Sequence, residues 1–331
     1  TELGDPPVKA LLVYNSNPAA VAPNQSKVMA GLAREDLFTA ACDVVMTDTC
    51  RFADVVLPAT SHWENTDLFK SYWHLHMAFA EPAIDRVGEA KPNVEVFRLL
   101  AEAMGFDDPC FRDTTEDIIE QALNNPANRS LQGVTLERLK AEGVIRLNVP
   151  ERHIPFTRFY SEAMARDGYD PLPAFVPLNE PDEGLMLITP PNHHFLNSTL
   201  AGLAEMRARE REPKLQISAQ DAADRGIRDG DRVRVFNERG GCELAAEITD
   251  AVRPGVVVSQ GVWWPKHSPG RGNVNQTTAD RIADMGGGAV FFSNRVEVVP
   301  VSAECRVPSA GCRVPSGARP ELVRRGQSPR M

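Results

Sequence analysis

Apolar positions change their period several times along the chain, and each change predicts an element. Residues 8–14 (Val-Lys-Ala-Leu-Leu-Val-Tyr) form a nearly unbroken apolar run of strand length, as expected of a strand buried on both faces. The run stops at Asn15-Ser16-Asn17-Pro18, a polar turn of short side chains and a fixed proline φ. After Pro23 and Asn24, the residues Val28, Met29 and Leu32 share one helical face, and the pattern fades between Gly31 and Arg34. Residues 37–42 read as a second strand ending on Asp43. A polar elbow containing Thr47 and Thr49 leads into a third short strand, Ala-Asp-Val-Val-Leu-Pro, at 53–58. Strand, turn, helix, strand is a βαβ unit with a parallel sheet and a right-handed crossover. Sugar and phosphate groups would sit beyond the carboxyl ends of its strands, near 15–18 and 43–49.

Residues 61–80 carry His62, Trp63, Glu64, Asp67, Phe69, Tyr72, Trp73 and His74 without a clean period, and are expected to be irregular and to line a crevice or interface. Asn93 is expected to cap a helix whose face is Val94, Phe97, Leu100, Ala101 and Met104, stopped by Gly105. A second helix is expected at 115–123, with acids in its first turn, and a third at 136–141, capped by Thr135 and ended by Gly143. Six prolines between 149 and 181 mark a connector. Beyond it the period becomes that of short strands, at 185–189, 215–217, 232–236, 243–248, 256–259 and 296–299, separated by Gly-, Asp- and Asn-rich turns and one short helix at 219–225. Six strands this closely spaced predict a closed barrel. The expected organisation is therefore an α/β lobe with an incomplete parallel sheet at 1–150, a proline-rich linker at 151–181, a β-barrel at 182–300, and a disordered basic tail at 301–331.

Composition narrows the function classes. The 331 residues are 42% apolar and 24% charged, with a formal charge of -9. An acidic balance argues against a nucleic-acid partner, and no apolar run is long enough for a membrane span. The tail has six arginines and two glutamates, a local +4 that leaves -13 on the rest. The chain opens on Thr1 and enters a strand almost at once, which suggests a fragment or trimmed chain; the expected compartment is the cytoplasm. The six cysteines are scattered without a Cys-x-x-Cys pair, and the histidine pairs lack helical ligand spacing, so no protein-held metal is expected.

No nucleophile elbow, zinc-protease motif, Walker loop or Gly-x-Gly-x-x-Gly turn is present. What remains is polar loops at strand ends: Asn15, Asn17, Asp43, Thr47 and Thr49 in the first domain, and 192–199 and 273–278 in the second. Short Asn, Ser, Thr and Asp side chains suit a polar, nucleotide-like ligand. An aspartate at a strand terminus can accept from the N1–H and exocyclic amine of guanine, a donor pair adenine lacks. That singles out Asp43 over Asp48, inside the turn, and Asp54, on the following strand. Capping of the next turn is the other role open to Asp43.

The ordered set Leu-Val-Tyr-Asn-Ser-Asn-Pro-Ala, Asp43 with Met-Thr-Asp-Thr, Ala-Asp-Val-Val-Leu-Pro-Ala, Glu64-Asn-Thr-Asp67 and Gly88-Glu-Ala-Lys-Pro-Asn93 resembles the molybdopterin oxidoreductases of the dimethyl sulfoxide reductase and formate dehydrogenase superfamily. Asn197-Ser198, the run from Asp221 to Gly226, the run from Asp229 to Val235, Asn237-Glu-Arg-Gly240, Arg253-Pro-Gly-Val256 and Val274-Asn275-Gln276-Thr277 resemble that family's C-terminal dinucleotide-binding domain. The resemblance spans about residues 8–300. It implies a six-stranded double-psi barrel and a molybdopterin guanine dinucleotide carrying molybdenum. Asp43 would bind the guanine, with Asn17, Pro18 and Thr47 to Thr49 flanking ribose and phosphates. The loop from His193 through Asn197 to Ser198, with Asn275, would contact the pterin side. An arginine frequent in this family is replaced by Pro190-Pro191, which weakens the case for anion binding by that loop. The family's molybdenum ligand and any iron–sulfur cluster lie upstream of the residues matched. The chain is thus expected to be the C-terminal cofactor-binding part of an oxidoreductase, inactive alone, partnered by its missing N-terminal half or a separate chain and by an electron-transfer subunit. A non-catalytic or split pterin-nucleotide module is the alternative.

Overall fold

The computed structural model describes residues 5–149, 158–177, 183–283 and 285–301. Residues 151–157 and 178–181 of the expected linker, and all but the first residue of the expected tail, lie outside the described residues. Contacts divide the chain into two compact units, Thr1–Leu57 with Leu178–Met331, and Pro58–Pro177.

In the first unit the chain begins with β1 (Ala10–Tyr14), α1 (Pro18–Val21), α2 (Gln25–Leu32), β2 (Phe38–Asp43) and β3 (Val55–Pro58). β1 and β2 pair in parallel from Ala10↔Phe38 to Tyr14↔Cys42, and β3 completes a parallel three-stranded sheet in the order β1-β2-β3. The predicted strands and the helix after Asn24 are all present. The short helix α1 was not expected: four residues give no period to read, and Pro18 looked like part of a turn. Pro18 instead opens the helix, where its fixed φ suits the first position and its missing N–H costs no bond. Asn15 and Asn24 take left-handed backbone angles, φ 52° and 49°, which asparagine tolerates better than most side chains.

The second unit contains β4 (Asp67–Lys70), β5 (His76–Ala80), α3 (Asn93–Met104), α4 (Thr115–Leu123), α5 (Leu136–Glu142), β6 (Val144–Arg146) and α6 (Glu162–Arg166). Here the expectation of an irregular 61–80 is corrected. β4 and β5 form an antiparallel hairpin, and β6 pairs antiparallel with β5 through Met77↔Ile145. Met77 on the sheet packs with Ile119 and Leu123 of α4, Leu139 of α5 and Ile145. The aromatic residues that hid the period-two pattern sit in the hairpin loop, where Tyr72 is 98% and Trp73 95% exposed. α3 ends at Gly105, at φ 75°, as expected. Its cap, however, is Pro92 and not Asn93, and of its expected face only Ala101 is buried. α4 carries a reciprocal capping box: Thr114 Oγ1 accepts from Asp117 N–H, and an Asp117 oxygen accepts from Thr114 N–H.

The first unit resumes with β7 (Leu185–Ile188), α7 (Ala204–Glu210), β8 (Lys214–Ile217), α8 (Ala219–Asp224), β9 (Arg232–Asn237), β10 (Gly240–Ile248), β11 (Val256–Val258) and β12 (Arg295–Pro300). The six strands close into a barrel in the order β10-β8-β11-β7-β12-β9. Pairs β10–β8 and β11–β7 are parallel, and the others are antiparallel. Leu187, Leu215, Ile217, Val233, Val235, Val257 and Val298 fill its interior. All six strands occur where the pattern placed them. β10 starts three residues earlier than expected because Glu238 and Arg239 make a two-residue turn, pairing Gly240 with Asn237.

Candidate functional site

Two polar loops of the first unit hold the residues singled out by the sequence, except Asn275, which lies between β11 and β12. The first lies at the carboxyl ends of β1 and β2. Because Tyr14 pairs with Cys42, and Asn15 N–H donates to Cys42 O at 3.3 Å, Asn15 and Asp43 end adjacent strands. Asn15 is exposed and Asp43 half-buried. Asp43 Oδ1 accepts from Val44 N–H at 2.7 Å. Burial pushes its carboxyl above the usual range, opposed by the Val44 and Val45 N–H groups. Val44, Val45 and Met46 beyond it are all exposed and make an apolar rim.

Beneath that surface the loop is held by the very side chains the sequence suggested as ligands. Asn17 is buried, and its Oδ1 accepts from Thr49 N–H at 3.1 Å and Thr49 Oγ1–H at 2.8 Å. Thr49 Oγ1 in turn accepts from Ala19 N–H, an otherwise orphaned donor at the start of α1. Thr47 Oγ1 donates to Cys50 Sγ and accepts from Cys50 N–H. Pro18 is half-buried at the first position of α1. Asp48 Oδ2 and Asn17 Nδ2 are buried without a hydrogen bond of ordinary geometry, although the Asn17 amide still favours the Asp48 charge. Burial nonetheless raises the Asp48 carboxyl, opposed first by the Lys266 N–H, which donates to Asp48 Oδ1 at 2.9 Å. Lys266 also donates from Nζ to Met46 O and lies 4.6 Å from the Trp264 ring centroid.

The second loop runs from β7 to α7. Phe195 is buried edge-on against Trp263 at 5.0 Å, and Trp264 Nε1 donates to Ser198 O at 2.8 Å. Asn192 is buried against Gly261, whose φ of 75° and contact with the Asn192 amide leave no room for a side chain. His193 and Asn197 are exposed, Asn197 at φ 53°. Ser198 is half-buried. Asn275 is buried, and its Nδ2 donates to Ala20 O at 3.1 Å and Val21 O at 3.2 Å. Asn273 works beside it: Nδ2 donates to Ala20 O and Trp263 O, Oδ1 accepts from Asn275 N–H, and its N–H donates to Gln25 Oε1. The sequence reading missed Gln25, Lys266 and Glu210, none of which stands in a motif. Among the described residues, no group of three or more His, Cys, Asp or Glu side chains could hold a metal ion.

Comparison with known proteins decides the family. The molybdopterin oxidoreductase model matches residues 2–103, and the molydopterin dinucleotide binding domain model matches residues 185–294. The chain belongs to the molybdopterin oxidoreductases. Its relatives include the probable oxidoreductase YoaE of Bacillus subtilis (strain 168), 45% identical over 306 residues that cover 90% of this chain and 45% of YoaE. The dimethyl sulfoxide/trimethylamine N-oxide reductase of Cereibacter sphaeroides is 26% identical over 321 residues, 85% of this chain and 38% of the reductase. The acetylene hydratase of Pelobacter acetylenicus shares the fold, with a TM-score of 0.71 at 20% identity over 89% of this chain and 44% of that one. The chain thus spans less than half the length of these relatives. No helix among the described residues is long and apolar enough to cross a membrane.

Proposed function

We propose that this chain is the cofactor-binding, C-terminal part of a molybdenum-dependent oxidoreductase, and that it holds molybdopterin guanine dinucleotide in two polar loops. The observation that carries the reading is the position of Asp43. It is an acceptor-only carboxylate at the end of a central parallel strand, beside exposed Asn15, with its loop fixed from below. That acceptor set matches the N1–H and 2-amino donors of guanine, and burial of those donors against it gives selectivity over adenine. Asn17, Thr47 and Thr49 act by shaping the loop, since their oxygens are committed to Thr49, Cys50 and Ala19. Pro18 starts the helix behind it. On the barrel, read as a double-psi barrel, exposed His193 and Asn197 face the pterin half. Ser198 O, held by Trp264, anchors the segment that carries them, and Asn275 ties its own loop to Ala20 of α1.

The bound metal supplies the redox chemistry, and these residues bind and orient its cofactor. The metal ligand, any iron–sulfur cluster and the electron-transfer subunit belong to the N-terminal half or to a partner chain. A non-catalytic or split module that binds the pterin nucleotide for a separate catalytic chain is the second reading. A cytoplasmic location is part of this reading, in keeping with six scattered cysteines whose spacing is not that of a dense disulfide framework.

The test is to purify the protein from a molybdenum-replete host, alone and coexpressed with an upstream half, and to assay molybdenum and acid-released guanine nucleotide. Guanine nucleotide in stoichiometric amount is expected. Neither analyte in either preparation would falsify the cofactor reading.

A further inference from the structure

Glu210, the last residue of α7, has no role in the reading above, yet the barrel loop is built around it. Its side chain is nearly buried. Oε1 accepts from His194 N–H at 2.6 Å and lies 2.9 Å from His194 Nδ1, while Oε2 accepts from Asn192 Nδ2 at 3.1 Å. Burial works against the carboxylate charge, but the Asn192 and His194 donors outweigh it and hold the group below its usual range. These partners lie 16 and 18 residues away, so the contact belongs to the loop's tertiary geometry and not to helix capping. Elsewhere this loop is fastened by Phe195 on Trp263, Ser198 under Trp264, Asn192 on Gly261, and Ala201 O, which accepts from the Arg207 guanidinium at 3.0 Å.

A carboxylate on Nδ1 decides which nitrogen of a neutral imidazole carries the proton. Nδ1 must donate, so Nε2 is left as the acceptor on the far edge of the ring. Among the described residues no hydrogen bond engages Nε2 of His194, and the ring is partly exposed beside exposed His193, 4.8 Å away edge-on. This is the arrangement by which a supporting carboxylate orients a ligand-contacting histidine.

We infer that Glu210 is the positioning residue of the barrel loop: it fixes the Nδ1–H tautomer of His194, turns Nε2 outward, and holds His193 and Asn197 in place for the bound dinucleotide. The last clause rests on the cofactor reading; the tautomer does not.

The experiment uses the full chain with 15N-labelled histidine, in alkaline buffer where imidazole is neutral, with the His194 signal assigned by its loss in His194→Gln. The wild type should carry the proton on Nδ1. In Glu210→Met the His194 signal should change to the Nε2–H pattern, and guanine nucleotide content should fall roughly tenfold, the scale on which such supporting carboxylates act. Glu210→Gln, which keeps an oxygen toward His194, should restore the Nδ1–H pattern and most of the content. Combining Glu210→Met with His194→Gln should cost little beyond the larger single loss. An Nε2–H tautomer in the wild type overturns the inference, even if Glu210→Met does not fold. Content unchanged in Glu210→Met, or lost with the tautomer unmoved, overturns it too. A wild type that carries no guanine nucleotide overturns the cofactor reading, and the ring spectrum still decides what Glu210 does to His194.

Discussion

The barrel and the Pro58–Pro177 unit both start from alternating apolar strands but use them differently. In the barrel six strands close on themselves, so every edge is paired and Leu215, Val233, Val235 and Val257 are wholly inside. In the second unit the three strands β4, β5 and β6 stay open, and α4 and α5 pack with them around Met77, Leu139 and Ile145. Apolar side chains remain on its surface among the described residues: Tyr72 and Trp73 in the hairpin loop, Leu100 and Met104 on α3, and Phe159 and Phe175 further on. Closure makes the barrel's stability internal. The open sheet leaves apolar area whose removal from water is not accomplished within that unit.

The comparison can be broken most forcefully inside the barrel. Leu215→Ala removes a fully buried side chain from a closed core and should cost about 2–5 kcal/mol in urea unfolding. A loss below 1 kcal/mol would mean that the barrel is not the tightly packed body described. Next in size is Asn273→Ala, which strips the side-chain partners from Trp263 O and Asn275 N–H and one of the two amide donors from Ala20 O, and should cost about 1–3 kcal/mol by the same measurement.

Asp48→Asn should do the opposite at neutral pH. Asparagine keeps an oxygen for the Lys266 N–H and removes a buried charge. Because the folded-state pKa of Asp48 is raised by burial, its favourable contribution is complete in acid and is lost as pH rises through that pKa. The variant should therefore melt higher than the wild type at pH 7, with the gap closing as pH falls through the carboxylate range. A gap that widens in acid refutes the burial argument. The smallest effect belongs to the other unit. Trp73→Ser changes a side chain that touches almost nothing and should shift stability by less than about 0.5 kcal/mol. A larger loss would show that the hairpin loop is packed after all.

The same contrast explains what the sequence disclosed. The barrel strands were readable because period two, β-branched residues and turn-forming Gly, Asp and Asn recur together over many residues. The β4–β5 hairpin was not, because the aromatics of its loop obscured the alternation of Leu68, Met77 and Phe79. α1 and α7 are too short to show a helical period. At the candidate site, order along the chain was enough to put Asn15 and Asp43 at the ends of strands, and the structure has them ending adjacent strands. Whether a threonine or asparagine oxygen faces a ligand or a backbone N–H depends on tertiary geometry, so Thr47, Thr49 and Asn275 could not be told from ligand contacts by type alone. Glu210 was silent because its partners come from a separate loop before α7.

The central claim is that Asp43 grips a guanine, and one assay addresses it directly: the guanine nucleotide retained by Asp43→Ala against wild type, prepared in parallel under conditions in which the wild type is loaded. With the acceptor gone, the donors of the base lose their buried partner, and retention should weaken by about 1–3 kcal/mol while the barrel melts as before. Wild-type retention in Asp43→Ala would contradict the assignment.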